Sequence, residues 1–226
     1  MTIVAFPPVE QADDQGLLAI GGDLEIESLL LAYRSGIFPW PLDEETLAWF
    51  SPCPRTILYL DRVHIAQSLR KILKRNPYTF AFDRNFPTVI RRCAEIKNRG
   101  KQRGTWITRD IIDAYEEFHR VGYCHSIECY EEQELIGGLY GVSINGMFAG
   151  ESMFYRKPNA SKLAFVFLCE FLREQGVKWL DCQVMTPFLA SFGAVEVPRE
   201  EFIGMLKHSL SRPPLRFVLD SSVPRR

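Results

Sequence analysis

Three apolar strands in series, between Cys124 and Arg156, constrain this chain more than any other stretch. "CHSIECYEE", "ELIGGLYGVSING" and "MFAGESMFYR" are divided by "EEQE" and by Asn145-Gly146, turn signals that fold strands back into hairpins. Such a meander needs cover, and the apolar helix read at 160–176, "ASKLAFVFLCEFLREQG", supplies it. Helices read at 64–76, 86–100 and 108–122, with a strand "YTFAFD" at 78–83, precede the meander. After it come a short strand "WLDCQV" at 179–184, a short helix at 186–192, "AVEVPR", and a last helix near 200–209. This order predicts an α+β layered domain over 61–226.

Residues 1–60 read as a small mixed domain. Gly21-Gly22 make a turn, and Asp23 caps a helix over 25–35 that stops near Gly36. Pro39 and Pro41 force an extended loop, and "LAWFSPCPRTILYL" reads as a strand pair broken by two prolines. The glycine pair lacks the Gly-Lys-Ser/Thr ending of a phosphate loop. A length of 226 residues accommodates one typical domain with a smaller partner.

The formal net charge of -1 hides an asymmetry. Residues 1–60 carry a net of -7, whereas residues 62–109 carry a net of +11. A solvated helix face would explain a short charge run, but this density favours a polyanion such as nucleic acid. The helix at 64–76 displays Arg70, Lys71, Lys74 and Arg75 on its polar side. No run of about 18 apolar residues predicts a membrane span, and the N-terminus has no signal-peptide pattern. Six cysteines without a CxxC pair read as reduced thiols in a cytoplasmic protein. The histidines match no zinc spacing, so no metal is expected.

Polar residues in apolar strands are the candidates for chemistry. Alternation in "WLDCQV" puts Asp181 and Gln183 on one face, opposite Leu180, Cys182 and Val184. A buried carboxylate needs a partner, and that partner is either a structural neighbour or a substrate. Glu151 interrupts "FAGESMF", where alternation aligns it with Ala149 and Met153; a plain edge residue meeting water is the alternative. Trp106 follows a basic stretch, and Trp40 and Trp49 punctuate the Pro-rich loops. An aromatic ring among cations stacks on an unpaired base, although each tryptophan alone also reads as core packing. With no Ser-His-Asp order and no G-x-S-x-G elbow, the pattern favours orienting substrates over nucleophilic attack.

"LLAIGGDL", "LLLAYRSGIFPWP", "WFSPCPR", "GTWIT", "FAGESMF", "DCQV" and "SFGA", in this order, resemble the leucyl/phenylalanyl-tRNA–protein transferase family over about residues 5–210. The resemblance implies a GNAT-like C-terminal domain and transfer of Leu or Phe, with Met used less well, from aminoacyl-tRNA. The acceptor would be the N-terminal Arg or Lys of a protein, which is thereby marked for degradation. It implies that Asp181 and Gln183 are catalytic and that Glu151 positions the aminoacyl-adenosine or the incoming cation. Leu139, Met153, Leu168 and Leu172 would line the amino-acid pocket, Trp49 and Trp106 would stack the terminal adenosine, and the basic belt would hold the acceptor stem. The ester is already activated, so no cofactor is expected, and the enzyme is expected to act as a monomer. Phe188 stands where the family commonly has His, and is assigned no catalytic role. The alternative of an acyl-CoA N-acetyltransferase of the same fold is disfavoured by "FYRKPNASKLA", which lacks a glycine-rich pyrophosphate loop. A non-catalytic RNA-binding module leaves the Asp181–Gln183 pair unexplained.

Overall fold

The computed structural model describes residues 2–75, 78–96, 98–99, 102–103 and 105–218, with 98–99 and 102–103 described by backbone alone. The first unit holds β1 (Leu17–Ile20), α1 (Ile26–Arg34), β2 (Phe38–Pro39) and β3 (Ala48–Phe50), its strands in the antiparallel order β1-β3-β2. Then follow β4 (Arg55–Tyr59), α2 (Gln67–Arg75), β5 (Thr79–Phe82), α3 (Phe86–Ala94), β6 (Asn98–Arg99), β7 (Gln102–Arg103) and α4 (Arg109–Arg120). The meander is β8 (Cys124–Glu131), β9 (Glu134–Ile144) and β10 (Met147–Tyr155). The chain closes with α5 (Ala160–Glu174), β11 (Trp179–Gln183), α6 (Pro187–Ser191), β12 (Val195–Val197) and α7 (Arg199–Leu210). Seven strands form the larger sheet, in the order β12-β4-β11-β10-β9-β8-β5. A small mixed unit followed by a larger sheet-and-helix unit is the α+β organisation expected. No helix of the described residues is long and apolar enough to cross a membrane.

Apolar residues cover both faces of this sheet. One core joins Leu29 and Tyr33 of α1, Phe86 and Ile90 of α3, Tyr115 of α4 and Phe202 of α7. The other gathers α5 with Leu69 of α2 and Leu180 of β11. The two hairpins form at the expected turns, with Glu132 and Asn145 taking φ of +54° and +53°. The expected Asp23 cap does not form: the N-cap of α1 is Glu25, with no side-chain cap, and Asp23 instead accepts from Glu25 N at 3.1 Å and Ser28 Oγ at 2.6 Å.

Three further expectations change. The helix read over 86–100 ends at Ala94, and part of its basic tail pairs as the β6–β7 hairpin. The segment 47–60 is not a strand pair, because Pro52 and Pro54 carry the chain from β3 in the small sheet to β4 in the large one. Finally, alternation fails in β10, where Gly150 pairs with Gly141 and Ser152 with Tyr140, leaving Glu151 as the extra residue of a bulge. Ala149 and Met153 consequently pack into opposite cores.

A second bulge lies beside the first. In β11, Asp181 pairs with Ile57 and Gln183 with Thr56, so Cys182 is extra. Val184 N donates to Cys182 O at 2.7 Å around Gln183, whose φ is +61°. That three-residue turn is a strained conformation for a side chain of this size. Among the described residues β10 and β11, which run parallel, share the single register pair Ala149–Asp181, and beyond it they part. Gly137 lets α5 approach this framework, since a Cβ there would stand 2.6 Å from the Ala160 Cβ. Gly137→Ala is expected to destabilise the fold by about 1–3 kcal/mol through overpacking, measured by urea unfolding; an unchanged midpoint would mean that the helix yields freely.

Candidate active site

The partner that Asp181 requires is Arg55, the lone base at the start of the apolar strand β4. Arg55 Nε donates to Asp181 Oδ1 at 2.8 Å and Nη2 donates to Oδ2 at 2.6 Å. Both side chains are buried, at 1% and 4% exposure, so the geometry is a two-pronged ion pair shielded from water. Arg55 Nη1 also donates to Gly36 O at 3.1 Å, and its guanidinium lies between the Phe38 and Phe202 rings, 4.8 and 4.4 Å from their centroids. Asp181 Oδ1 accepts a further bond from Gln183 N at 3.0 Å, which holds the strained turn. With its oxygens so engaged, Asp181 holds the backbone N–H of Gln183.

Gln183 in turn meets Glu151. Its Nε2 donates to Glu151 Oε1 at 2.8 Å, and the hydroxyl of Tyr33, from α1, donates to the same oxygen at 2.8 Å. Tyr115, from α4, is hydrogen-bonded through its hydroxyl to that of Tyr33. Glu151 Oε2 is buried and has no hydrogen-bond partner among the described residues. Burial pushes the Glu151 carboxyl up to about 8, and the nearby Asp181 charge adds to the rise, while Tyr33, Gln183 and Arg55 oppose it. A carboxyl that exchanges its proton near neutral pH beside a cleft is suited to acid–base work.

Glu151 and Gln183 border a cavity of about 560 Å³ opened by the divergence of β10 and β11. Of the residues expected at a site, Trp106, Leu139, Glu151, Met153, Leu168 and Gln183 line it. Trp49 does not: it is fully buried, packs against Phe6 and donates through Nε1 to Gly21 O at 2.9 Å, so it has no face free for a base. Trp40 takes its place at the rim, with ring centroids 5.5 Å from those of Trp106. Leu172 lies one helical turn beyond Leu168, fully buried in the core. The wall also includes Phe165 and Phe188, whose centroids are 5.3 Å apart. Phe188 is therefore a lining residue, a role that its place in the sequence did not suggest. Arg70, Lys71, Lys74 and Arg75 lie on α2, which packs on the same side of the sheet as the cavity; Arg70, Lys71, Lys74 and Arg75 are all exposed. The acidic block contributes Asp23, Glu25, Asp43, Glu44 and Glu45 to a separate concavity beside α4.

Removing one partner of the buried ion pair should cost far more than an exposed pair would. Arg55→Ala is expected to lower stability by about 3–5 kcal/mol because Asp181 is left uncompensated. Chemical denaturation measures it, and a loss below about 1 kcal/mol would show that the pair is not the clamp its geometry indicates.

Comparison with known proteins agrees in extent with this architecture. A family model described as leucyl/phenylalanyl-tRNA protein transferase matches residues 57–207, and one for the N-terminal domain of the same proteins matches residues 22–53. A leucyl/phenylalanyl-tRNA–protein transferase from an Anaeromyxobacter species is 49% identical, covering 94% of this chain and 90% of its own. Those from Syntrophus aciditrophicus and Flavobacterium johnsoniae are 48% and 47% identical, covering 95% and 89% of this chain and 89% and 95% of their own. Among solved structures, that of L-PGS from Bacillus licheniformis aligns at 18% identity with a TM-score of 0.40, covering 77% of this chain and 57% of its own. On the sequence matches, which span both units, the chain belongs to the leucyl/phenylalanyl-tRNA–protein transferase family.

Proposed function

We propose that the protein transfers Leu or Phe, and Met less well, from aminoacyl-tRNA to the N-terminal Arg or Lys of proteins in the cytoplasm, marking them for degradation. The observation that carries this reading is an apolar cavity ending at the hydrogen-bonded pair Glu151–Gln183. Leu139, Met153 and Leu168 receive the amino-acid side chain, with Phe165 and Phe188 as the aromatic part of the wall. Trp40, with Trp106 behind it, offers a ring to the terminal adenosine. The cations of α2 hold the acceptor stem by phosphate contacts, independently of base sequence.

The chemistry needs only positioning and one proton. A peptide α-amine ordinarily titrates at about pH 7.7–8.0, so a usable fraction is neutral near pH 7. With its NH2 committed to Glu151, the Gln183 side chain presents its carbonyl oxygen to an amine N–H. The amine nitrogen bonds to the ester carbonyl carbon and loses a proton to ionised Glu151 Oε2. The ester C–O bond breaks, Oε2 returns the proton to the departing ribose oxygen, and Glu151 ends as it began. Asp181 acts at one remove, through the backbone of Gln183.

Purified protein should join Phe from Phe-tRNA to a peptide beginning with Arg, and should transfer nothing from acetyl-CoA. Gln183→Ala should lower turnover roughly 10²–10³-fold, as loss of a positioned hydrogen-bonding group does, while tRNA affinity stays unchanged. Acetyl transfer would favour the acyl-CoA reading, and near-normal turnover of a folded Gln183→Ala would remove Gln183 from the site.

A further inference from the structure

We propose that Tyr33, backed by Tyr115, is a positioning residue for the transfer: its hydroxyl and the Gln183 amide fill Glu151 Oε1, leaving Oε2 as the oxygen that exchanges the acceptor's proton. This rests on the transfer reaction proposed above.

Oε1 accepts from Tyr33 and from Gln183 at 2.8 Å each, whereas Oε2 is buried without a partner among the described residues. An unpaired buried carboxylate oxygen is costly, and a group that takes up a proton there relieves the cost. Ionised Glu151 is acceptor-only, so Tyr33 must donate to it, and the Tyr33 oxygen is then free to accept from Tyr115. Burial raises both phenols well above their ordinary range, which keeps them protonated and able to donate. A hydroxyl that is itself receiving a hydrogen bond is the stronger donor, so Tyr115 reinforces Tyr33.

The surroundings leave Tyr33 few substitutes. Facing Glu151 are Tyr33 from α1, Tyr115 from α4, Cys124 from β8, Tyr140 from β9, Asp181 and Gln183 from β11, and Arg55 from β4. Arg55 is the one cation among them and is committed to Asp181, which repels the Glu151 carboxylate. The Tyr140 hydroxyl is buried without a partner among the described residues, so it does not support Glu151. Stabilisation of the ionised form falls chiefly to two donors, Tyr33 and Gln183. Because Tyr33 lies on α1, the small N-terminal unit supplies part of the machinery that sets this charge.

The test is kcat against pH at saturating Phe-tRNA and Arg-starting peptide. The peptide's own amine titrates identically in every variant, so differences report the enzyme. Tyr33→Phe should lower kcat roughly 10–100-fold near pH 7, the usual effect of losing a hydrogen bond to a charged group. Removing that donor raises the energy of the carboxylate, so the acidic limb should move to higher pH by about one unit. Tyr115→Phe should shift it in the same direction by less. In a Glu151→Gln background, Tyr33→Phe should cost less than about twofold, because there is no carboxylate left to tune. The double variant Tyr33→Phe/Tyr115→Phe leaves no orphaned hydroxyl, and should show the same limb shift if the single variant folds poorly. An unmoved limb, or equal losses with and without Glu151, would overturn the proposal. Wild-type protein that failed to transfer Phe at all would overturn the reaction itself.

Discussion

The ion pair between Arg55 and Asp181 is the constraint on which the site depends. It ties β4 to β11, the second and third strands of the large sheet, and its guanidinium lies against rings from β2 and α7. Burying two charges is costly, and the contribution to stability of such a pair over an apolar replacement is small. What it supplies is direction. With both carboxylate oxygens occupied by one rigid fork, Asp181 can hold the Gln183 amide N–H in a turn that a glutamine would otherwise avoid.

From that fixed point the polar groups follow in sequence. The bulge at Cys182 and the turn at Gln183 swing one side chain toward the gap between β10 and β11, and the neighbouring bulge at Glu151 brings a carboxyl to meet it. Two acids thus sit close together in unlike surroundings. Asp181 faces a buried cation and serves the backbone; Glu151 has only neutral donors on one oxygen and is driven toward protonation by burial. The difference in environment, not in residue type, separates an anchor from a proton-exchanging group.

The hairpins, the apolar helix α5 and the basic helix α2 are legible in the sequence because each is a local pattern: turn chemistry, an apolar run, an amphipathic period. The bulges are not. Alternation assumes one residue per pleat, and an extra residue in β10 inverts every side chain after it, which is why Met153 faces away from the core of Ala149. Arg55 does carry a signal, a lone base opening an apolar strand, although nothing local names its partner. Tyr33 and Tyr115, 82 residues apart, carry none, since tyrosine in an amphipathic helix reads as core. Of the tryptophans that the sequence singles out, Trp49 packs inward, whereas Trp40 and Trp106 line the cavity, a difference that nothing local in the sequence signals.

Burial that holds Glu151 neutral until about neutral pH can be read directly from its carboxyl carbon. Protein labelled with ¹³C at the glutamate side chains, with the Glu151 resonance assigned by its loss in Glu151→Gln, would be titrated from acid to alkaline pH. The structure predicts a midpoint at about 8. A midpoint near the ordinary glutamate value of about 4.3 would contradict the account, because a carboxylate already ionised at low pH cannot be the group whose proton balance burial controls.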